Sequence, residues 1–402
     1  MVCEYARPFA TLGGADAGGQ NVHVAELAAA LAARGHEVHV YTRRDNPSTP
    51  TESPQVPGVT VVQVPAGPAE VLPEEGLLPH MRQFGGWLAD SWRSRGWRPD
   101  VVHAHFWMSG LAALVATSDA RIAVVQTFHA LGSEKLRHCG DGDGSPAQRI
   151  AMERMLGRVV ERVIAQSRHE VTELVRLGVP RTSIRVVPSG VDTRLFRPDE
   201  TVSRAAGAGP GSRILSVGRL LPRKGFADLI RALPLVPEAE LVVAGGPAAE
   251  NLGEDPEACR LRALAVELGV ASQVRLLGLV PRSELPGWYQ SAAVVACVPW
   301  YEPFGLTPLE AMACGVPVVA YALGGLAESV VDQVTGALVP PGRIHALGVA
   351  LRRLLADEAL RLSYASAGVD RARSRYTWER TGAEVERVYA EIARARVAVA
   401  AE

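Results

Sequence analysis

Lysine is almost missing from this 402-residue chain: of 42 basic residues, only Lys135 and Lys224 are lysine. A lysine at a chemically suggestive place therefore carries more weight than it would in an ordinary sequence. A net field is missing too, because 43 acidic residues offset the basic ones and leave a formal charge of -1. That balance argues against partners recruited by charge alone, such as nucleic acid or an anionic membrane surface. Cysteine is sparse and scattered: Cys3, Cys139, Cys259, Cys297 and Cys314 form no CxxC or CxxH pair. Such spacing predicts neither a disulfide framework nor a zinc site, and a reducing cytoplasm fits it. No run reaches the roughly 18 apolar residues that span a bilayer, and no basic segment followed by an apolar stretch opens the chain. A cytoplasmic protein without an integral membrane segment is the expectation. GxGxxG and GxxxxGK(S/T) are both absent, which removes the main support for a dinucleotide oxidoreductase or a P-loop NTPase.

What is present is ordinary globular composition, 48% apolar and 21% charged, at a length that suggests two or three domains. Short β-branched runs alternate with helical stretches. In the first half the expected strands are 37–42, 59–64, 100–105, 123–128, 162–167 and 184–189. Several are apolar on both faces, as parallel strands buried between helix layers are. Val24, Leu27 and Leu31 mark a helix face that ends at Gly35. The rhythm breaks in a stretch rich in Pro, Gly, Ala and Ser ending at Ser212, then restarts at 213–217, 240–244, 273–277, 293–298 and 317–322. The expected organisation is an α/β domain over 1–190, a linker over 191–212 and a second α/β domain over 213–375. A final amphipathic helix occupies 376–402, with Val385, Val388, Tyr389 and Ile392 on one face. Only Met1–Tyr5 stand where the first strand should lead into its Gly-rich loop, so that strand is either short or begun late.

Three segments carry chemistry. The loop from Gly13 and Gly14 through Asp16, Gly18, Gly19 and Gln20 enters the first helix, where free N–H groups favour anions. Gly218-Arg219 through Lys224-Gly225 follows the first strand of the second half, at the carboxyl edge where open α/β sheets bind ligands. Arg219 and Lys224 can both reach one diphosphate and neutralise the charge that grows on it as it leaves. The most specific string runs from Glu302 to Pro317. Its two carboxylates, Glu302 and Glu310, are separated by seven residues, with a Phe304-Gly305 turn and a helix start between them. The spacing predicts Glu302 on a loop facing sugar hydroxyls and Glu310 one to two turns into a helix, facing a ribose diol. The N–H groups of Phe304, Gly305, Leu306 and Thr307 lie between them for phosphates.

Histidines stand at predicted strand ends, in His103-Ala-His105 and Thr127-Phe-His129. His105 and His129 are read as facing the cleft and His103 equally well as packing. Lys135 and Arg149 follow in a polar stretch that could meet an acceptor, although Arg149 and Glu153 also have the spacing of a helix-surface ion pair. Asp141-Gly-Asp143 imitates a metal-holding DxD but sits in a Gly-rich loop with no strand before it, and is read as solvated.

With these residues assembled, the whole chain resembles a retaining glycosyltransferase of family 4. The resemblance implies the GT-B architecture of two facing Rossmann-like domains, with the last helix crossing back to the first. Within that family the loop ending in Gly18-Gly19-Gln20 and the histidine motifs are similar to sucrose-phosphate synthases and to the mycothiol-pathway enzyme that glycosylates inositol phosphate. The resemblance implies that Arg219 and Lys224 bind the donor diphosphate, Glu310 the ribose, Glu302 the sugar near C3, and that Val280 lies against the base. It places His129 at the reacting face, and Gly18 and Gly19 near phosphates and acceptor, the latter also met by Gln20, His105, Lys135 and Arg149. It implies a nucleotide-sugar donor, a uridine diphosphate sugar by preference, a small polar acceptor, retention of configuration, and no metal or other cofactor. Self-association is left open.

One departure bears on the acceptor: mycothiol-type members carry a lysine for its phosphate in the stretch matching Pro73-Glu74-Glu75, and this chain has none there. Three other readings stand beside transfer. A nucleotide-sugar 2-epimerase shares the architecture but needs acid and base groups at C2. A phosphorylase with a cofactor lysine finds neither lysine in a suitable context. A catalytically silent nucleotide-sugar-binding subunit would have lost a key cation or carboxylate, and all four are in place.

Overall fold

The computed structural model describes residues 1–5, 18–139, 145–199 and 212–400. The candidates Gly13, Gly14, Asp16, Asp141 and Asp143, and linker positions 200–211, lie outside the described residues. Contacts divide the chain into two compact units. The first is built on Gly19–Pro188 and regains the chain at Trp378, while the second is built on the described residues of Ser189–Thr377.

In the first unit, β1 (Val38–Arg43), β2 (Glu52–Val56) and β3 (Val59–Val64) pair in the order β1-β3-β2. β4 (Val101–His105), β5 (Ala123–Thr127), β6 (Arg162–Ala165) and β7 (Ile184–Val186) pair in chain order. Val2 joins the two groups, bridging in parallel to Tyr41 of β1 and Ala104 of β4. Its N–H donates to the His103 carbonyl, and its own carbonyl accepts from the His105 N–H. In Met1–Tyr5, where a short first strand was expected, only Val2 is bridged, and it takes the central place between β1 and β4. Every named pair in this unit is parallel except β2–β3.

The second unit has β8 (Arg213–Val217), β9 (Glu240–Ala244), β10 (Val274–Gly278), β11 (Val294–Cys297), β12 (Val318–Tyr321) and β13 (Gly336–Val339). Their order is β10-β9-β8-β11-β12-β13, all parallel. This is a doubly wound sheet whose winding reverses between β8 and β11, the place where such sheets open a crevice at their carboxyl edge. Both faces of the strands are covered by helices, which is why β11 and β12 are buried at every residue.

The C-terminal helix, Trp378–Ala400, belongs to the first unit. It buries Val385, Val388 and Ile392. At Gly382 it meets helix Gly19–Ala32 so closely that an added Cβ would stand 3.0 Å from the Ala30 methyl. The Tyr389 hydroxyl is 2.7 Å from Nδ1 of His103, tying the helix to β4.

Candidate active site

In the second unit the reversal of the winding brings the chain after β8 against the chain after β11. Beyond Val217, residues Pro222–Lys224 form one 3-10 turn, which Gly225 ends in the left-handed region at φ 75°. A Cβ there would stand 1.8 Å from the Val298 carbonyl oxygen, so only glycine allows the turn to lie on the end of β11. Lys224 is thereby directed at Glu302, with Nζ 2.6 Å from Oε2. Burial raises the Glu302 carboxyl, but Lys224, with Arg223 and Arg219, outweighs it and holds the group below the usual carboxylate range. Glu302 is ionised at neutral pH, and exposed Arg219 adds a further cation near it.

Glu310 is the fifth residue of helix Leu306–Ala313 and is almost fully buried. Arg282 Nη1 donates to its Oε1 at 2.8 Å, and the Tyr289 hydroxyl donates to Oε2, also at 2.8 Å. Burial and the Glu310 charge push the Tyr289 phenol well up, so it stays a donor. Gly305 precedes the helix at φ 85°. The N–H groups of Leu306 and Thr307 belong to the first turn, which has no intrahelical acceptors for them, while the Phe304 ring is buried beside Tyr376. The turn is backed by Gly324 and Gly325: a Cβ on Gly324 would stand 2.2 Å from the Glu302 carbonyl oxygen, and one on Gly325 2.5 Å from the Phe304 backbone. Val280, half-buried, follows β10 at the same edge.

The first unit assembles a second cluster at its own carboxyl edge. His105 ends β4 and His129 stands just beyond β5, with His105 Nδ1 3.0 Å from His129 Nε2. His129 has φ 60° and Phe106 has φ 82°, conformations that non-glycine residues hold only when their surroundings fix them. His23, from helix Gly19–Ala32, sets its ring edge-on to His129, the centroids 4.9 Å apart. Burial lowers all of these imidazoles: His23 to about 3, and His105 and His129 well below their ordinary value, the latter two lowered further by neighbouring histidines. They are neutral at physiological pH. His103 is buried too, between the Tyr389 hydroxyl and the Thr127 hydroxyl, 2.9 Å from its Nε2. It is a packing and tethering residue, one of the two roles its strand-end position allowed.

Gly19 begins that helix directly after Gly18, and the Gln20 amide donates to Cys3 Sγ at 3.4 Å and to the His105 carbonyl at 3.5 Å. Lys135 Nζ donates to Ser145 Oγ at 3.3 Å. Arg149 is almost wholly buried. Its guanidinium donates to Glu153 at 2.8 Å, Ser145 Oγ at 3.0 Å and the Ala130 carbonyl at 2.9 Å, with Glu74 3.6 Å away. The Glu153 pairing that its spacing allowed is present, buried rather than on a helix surface.

Arg282, Tyr289, Gly324, Gly325 and His23 had no sequence signal that set them apart, because each acts across a separation that pattern reading does not span.

Two family models match the chain. "Glycosyltransferase Family 4" matches residues 17–195 and "Glycosyl transferases group 1" matches residues 204–371. A D-inositol 3-phosphate glycosyltransferase of Xylanimonas cellulosilytica is 38% identical over 99% of this chain and 97% of its own. The chain belongs to the family 4 glycosyltransferases. An enzyme of the same name from Acidothermus cellulolyticus is 36% identical to this glycosyltransferase over 97% of the chain and 89% of its own. Among solved structures, a sucrose-phosphate synthase from Thermosynechococcus elongatus superposes with a TM-score of 0.90 at 30% identity, covering 98% of each chain. The glycosyltransferase therefore has the GT-B fold of two Rossmann-like domains.

Proposed function

We propose that this glycosyltransferase moves a sugar, with retention of configuration, from a uridine diphosphate donor to a hydroxyl of a small polar acceptor, without a metal. The observation that carries this reading is the 2.6 Å pair of Lys224 and Glu302 at the point where the second sheet reverses its winding. In this reading the donor diphosphate enters beside Arg219 and Lys224, with the N–H groups of Gly305, Leu306 and Thr307 supplying further donors. Gly18 and Gly19 add backbone donors near the phosphates. Glu302 turns its carboxylate to the sugar hydroxyls near C3. Glu310, oriented by Arg282 and Tyr289, accepts from the ribose diol with the lone pairs those two donors leave, and Val280 and its neighbours line the base.

The bond from C1 to the phosphate oxygen breaks and the bond from C1 to the acceptor oxygen forms on the same face. The acceptor proton passes to the departing phosphate, whose growing charge Arg219 and Lys224 neutralise. His129, neutral, offers a hydrogen bond at the reacting face rather than a proton. Gln20, His105, Lys135 and Arg149 form the acceptor subsite, where buried His105 and Arg149 act through the residues they hold. Inositol phosphate is not proposed as the acceptor, because an acidic residue, Glu74, stands 3.6 Å from Arg149 in the stretch where the resemblance to mycothiol-type members implies a lysine.

Transfer assayed with a UDP-sugar after exhaustive chelation tests the reading, with the product anomer read from NMR coupling constants. Full activity and a retained anomer are expected. Activity that needs manganese, or an inverted product, overturns it.

A further inference from the structure

We propose that His23, His105 and His129 form a binding site for a borderline transition-metal ion, zinc or its congeners, and that occupancy of this site inhibits the enzyme. One ligand nitrogen from each of the three rings lies within 4.8 Å of the other two. Zinc at about 2.0–2.1 Å from imidazole nitrogen sets tetrahedral ligand atoms about 3.3 Å apart. His105 and His129 already stand 3.0 Å apart, so small ring movements complete the triangle.

The chemistry of the donors fits such an ion. All three donors are imidazoles on buried or half-buried rings. Two neutral imidazole nitrogens facing each other at 3.0 Å need either one proton between them or a cation. A set of three imidazoles without a carboxylate selects zinc, cobalt, nickel or copper over magnesium and calcium. Gln166 holds two of the three rings, its Nε2 donating to His23 Nδ1 at 3.2 Å and its amide also hydrogen-bonding His129; an ion on His23 Nε2 requires that amide to turn its oxygen to Nδ1. His105 Nε2 is buried with no hydrogen-bond partner among the described residues, which leaves that ring weakly committed to its present tautomer. His129 is the least enclosed of the three.

Inhibition, unlike binding, rests on the proposed role of His129 at the reacting face. An ion that takes up the His129 nitrogen removes its hydrogen bond to substrate.

The test titrates Co2+ into the full chain, free of any affinity tag, and follows the visible bands of four-coordinate cobalt. Calorimetry with Zn2+ and X-ray absorption of the loaded wild-type protein run alongside. One equivalent bound, imidazole scattering, and at least about tenfold weaker binding in His23→Gln are expected. His169→Gln serves as a control on the other candidate cluster, Glu134, His169 and Glu173, and should leave the bands unchanged. Absence of cobalt bands in folded wild-type protein, or an absorption spectrum without imidazole ligands, overturns the site. Should His23→Gln fail to fold, the wild-type absorption spectrum alone decides. Binding without loss of transferase activity keeps the site and removes His129 from the reacting face.

Discussion

At the scale of single residues, the pair of Lys224 and Glu302 concentrates the account. Both side chains are largely buried, and each would be costly to leave alone. A charge-assisted hydrogen bond is worth about 1.5–3 kcal/mol, so Lys224→Ala should weaken donor diphosphate binding by about ten- to a hundredfold, measured by calorimetry. Glu302→Gln should spare nucleotide affinity and lower turnover, because that carboxylate is assigned to the sugar; equal loss of both would move it to the phosphates. The sequence announced these residues because lysine is so rare and because the two carboxylates sit at a fixed spacing inside one string. It was silent on Arg282 and Tyr289, which lie 28 and 21 residues from Glu310 and meet it only through the fold. His23 was equally silent, one polar letter in an alanine-rich helix.

At the scale of elements, glycine contacts decide which turns can exist. Gly225→Ala should displace the turn carrying Lys224, because its Cβ would stand 1.8 Å from the Val298 carbonyl oxygen. We expect a lower Tm together with lost nucleotide affinity; unchanged values of both would show that the turn does not position the lysine. The tie between the C-terminal helix and β4 is the Tyr389–His103 hydrogen bond. Tyr389→Phe should cost about 1 kcal/mol, read as a lower midpoint of denaturant unfolding. Strands were legible wherever the chain wrote an apolar run buried on both faces, as in β3, β8 and β9. β2 was not, for its residues are mostly exposed, it carries Pro54, and it pairs antiparallel at an edge. β13 escaped as well, since Gly336–Val339 is four residues long and begins with a glycine that pairs directly with Val318.

For the whole molecule, the buried titratable groups set how stability depends on pH. The histidines His23, His103, His105 and His129 have folded values far below 6.5. As pH falls through 6.5 the unfolded chain takes up protons that the folded chain refuses, so stability is lost on the acid side. Glu4 and Glu170, raised by burial to about 7, act in the opposite sense between 4.5 and 7. Four histidines outnumber two carboxyls, so the thermal midpoint should peak near neutrality and fall as pH drops from 6.5 to 5.5. A midpoint that rises on acidification would show that these histidines are not buried neutral. The two-unit division and the parallel sheets were readable from the alternation of strands and helices. The place of a short first strand at Met1–Tyr5 was readable as well, but its reduction to a single bridged residue, Val2, was not.

The most direct measurement is calorimetric binding of UDP, ADP and GDP to the wild-type chain and to Lys224→Ala. UDP should bind, with ADP and GDP weaker, and the variant should lose that binding while staying folded. Binding that survives in the variant, or a folded wild-type protein that binds none of the three, would contradict the assignment of the second sheet's carboxyl edge as the donor site.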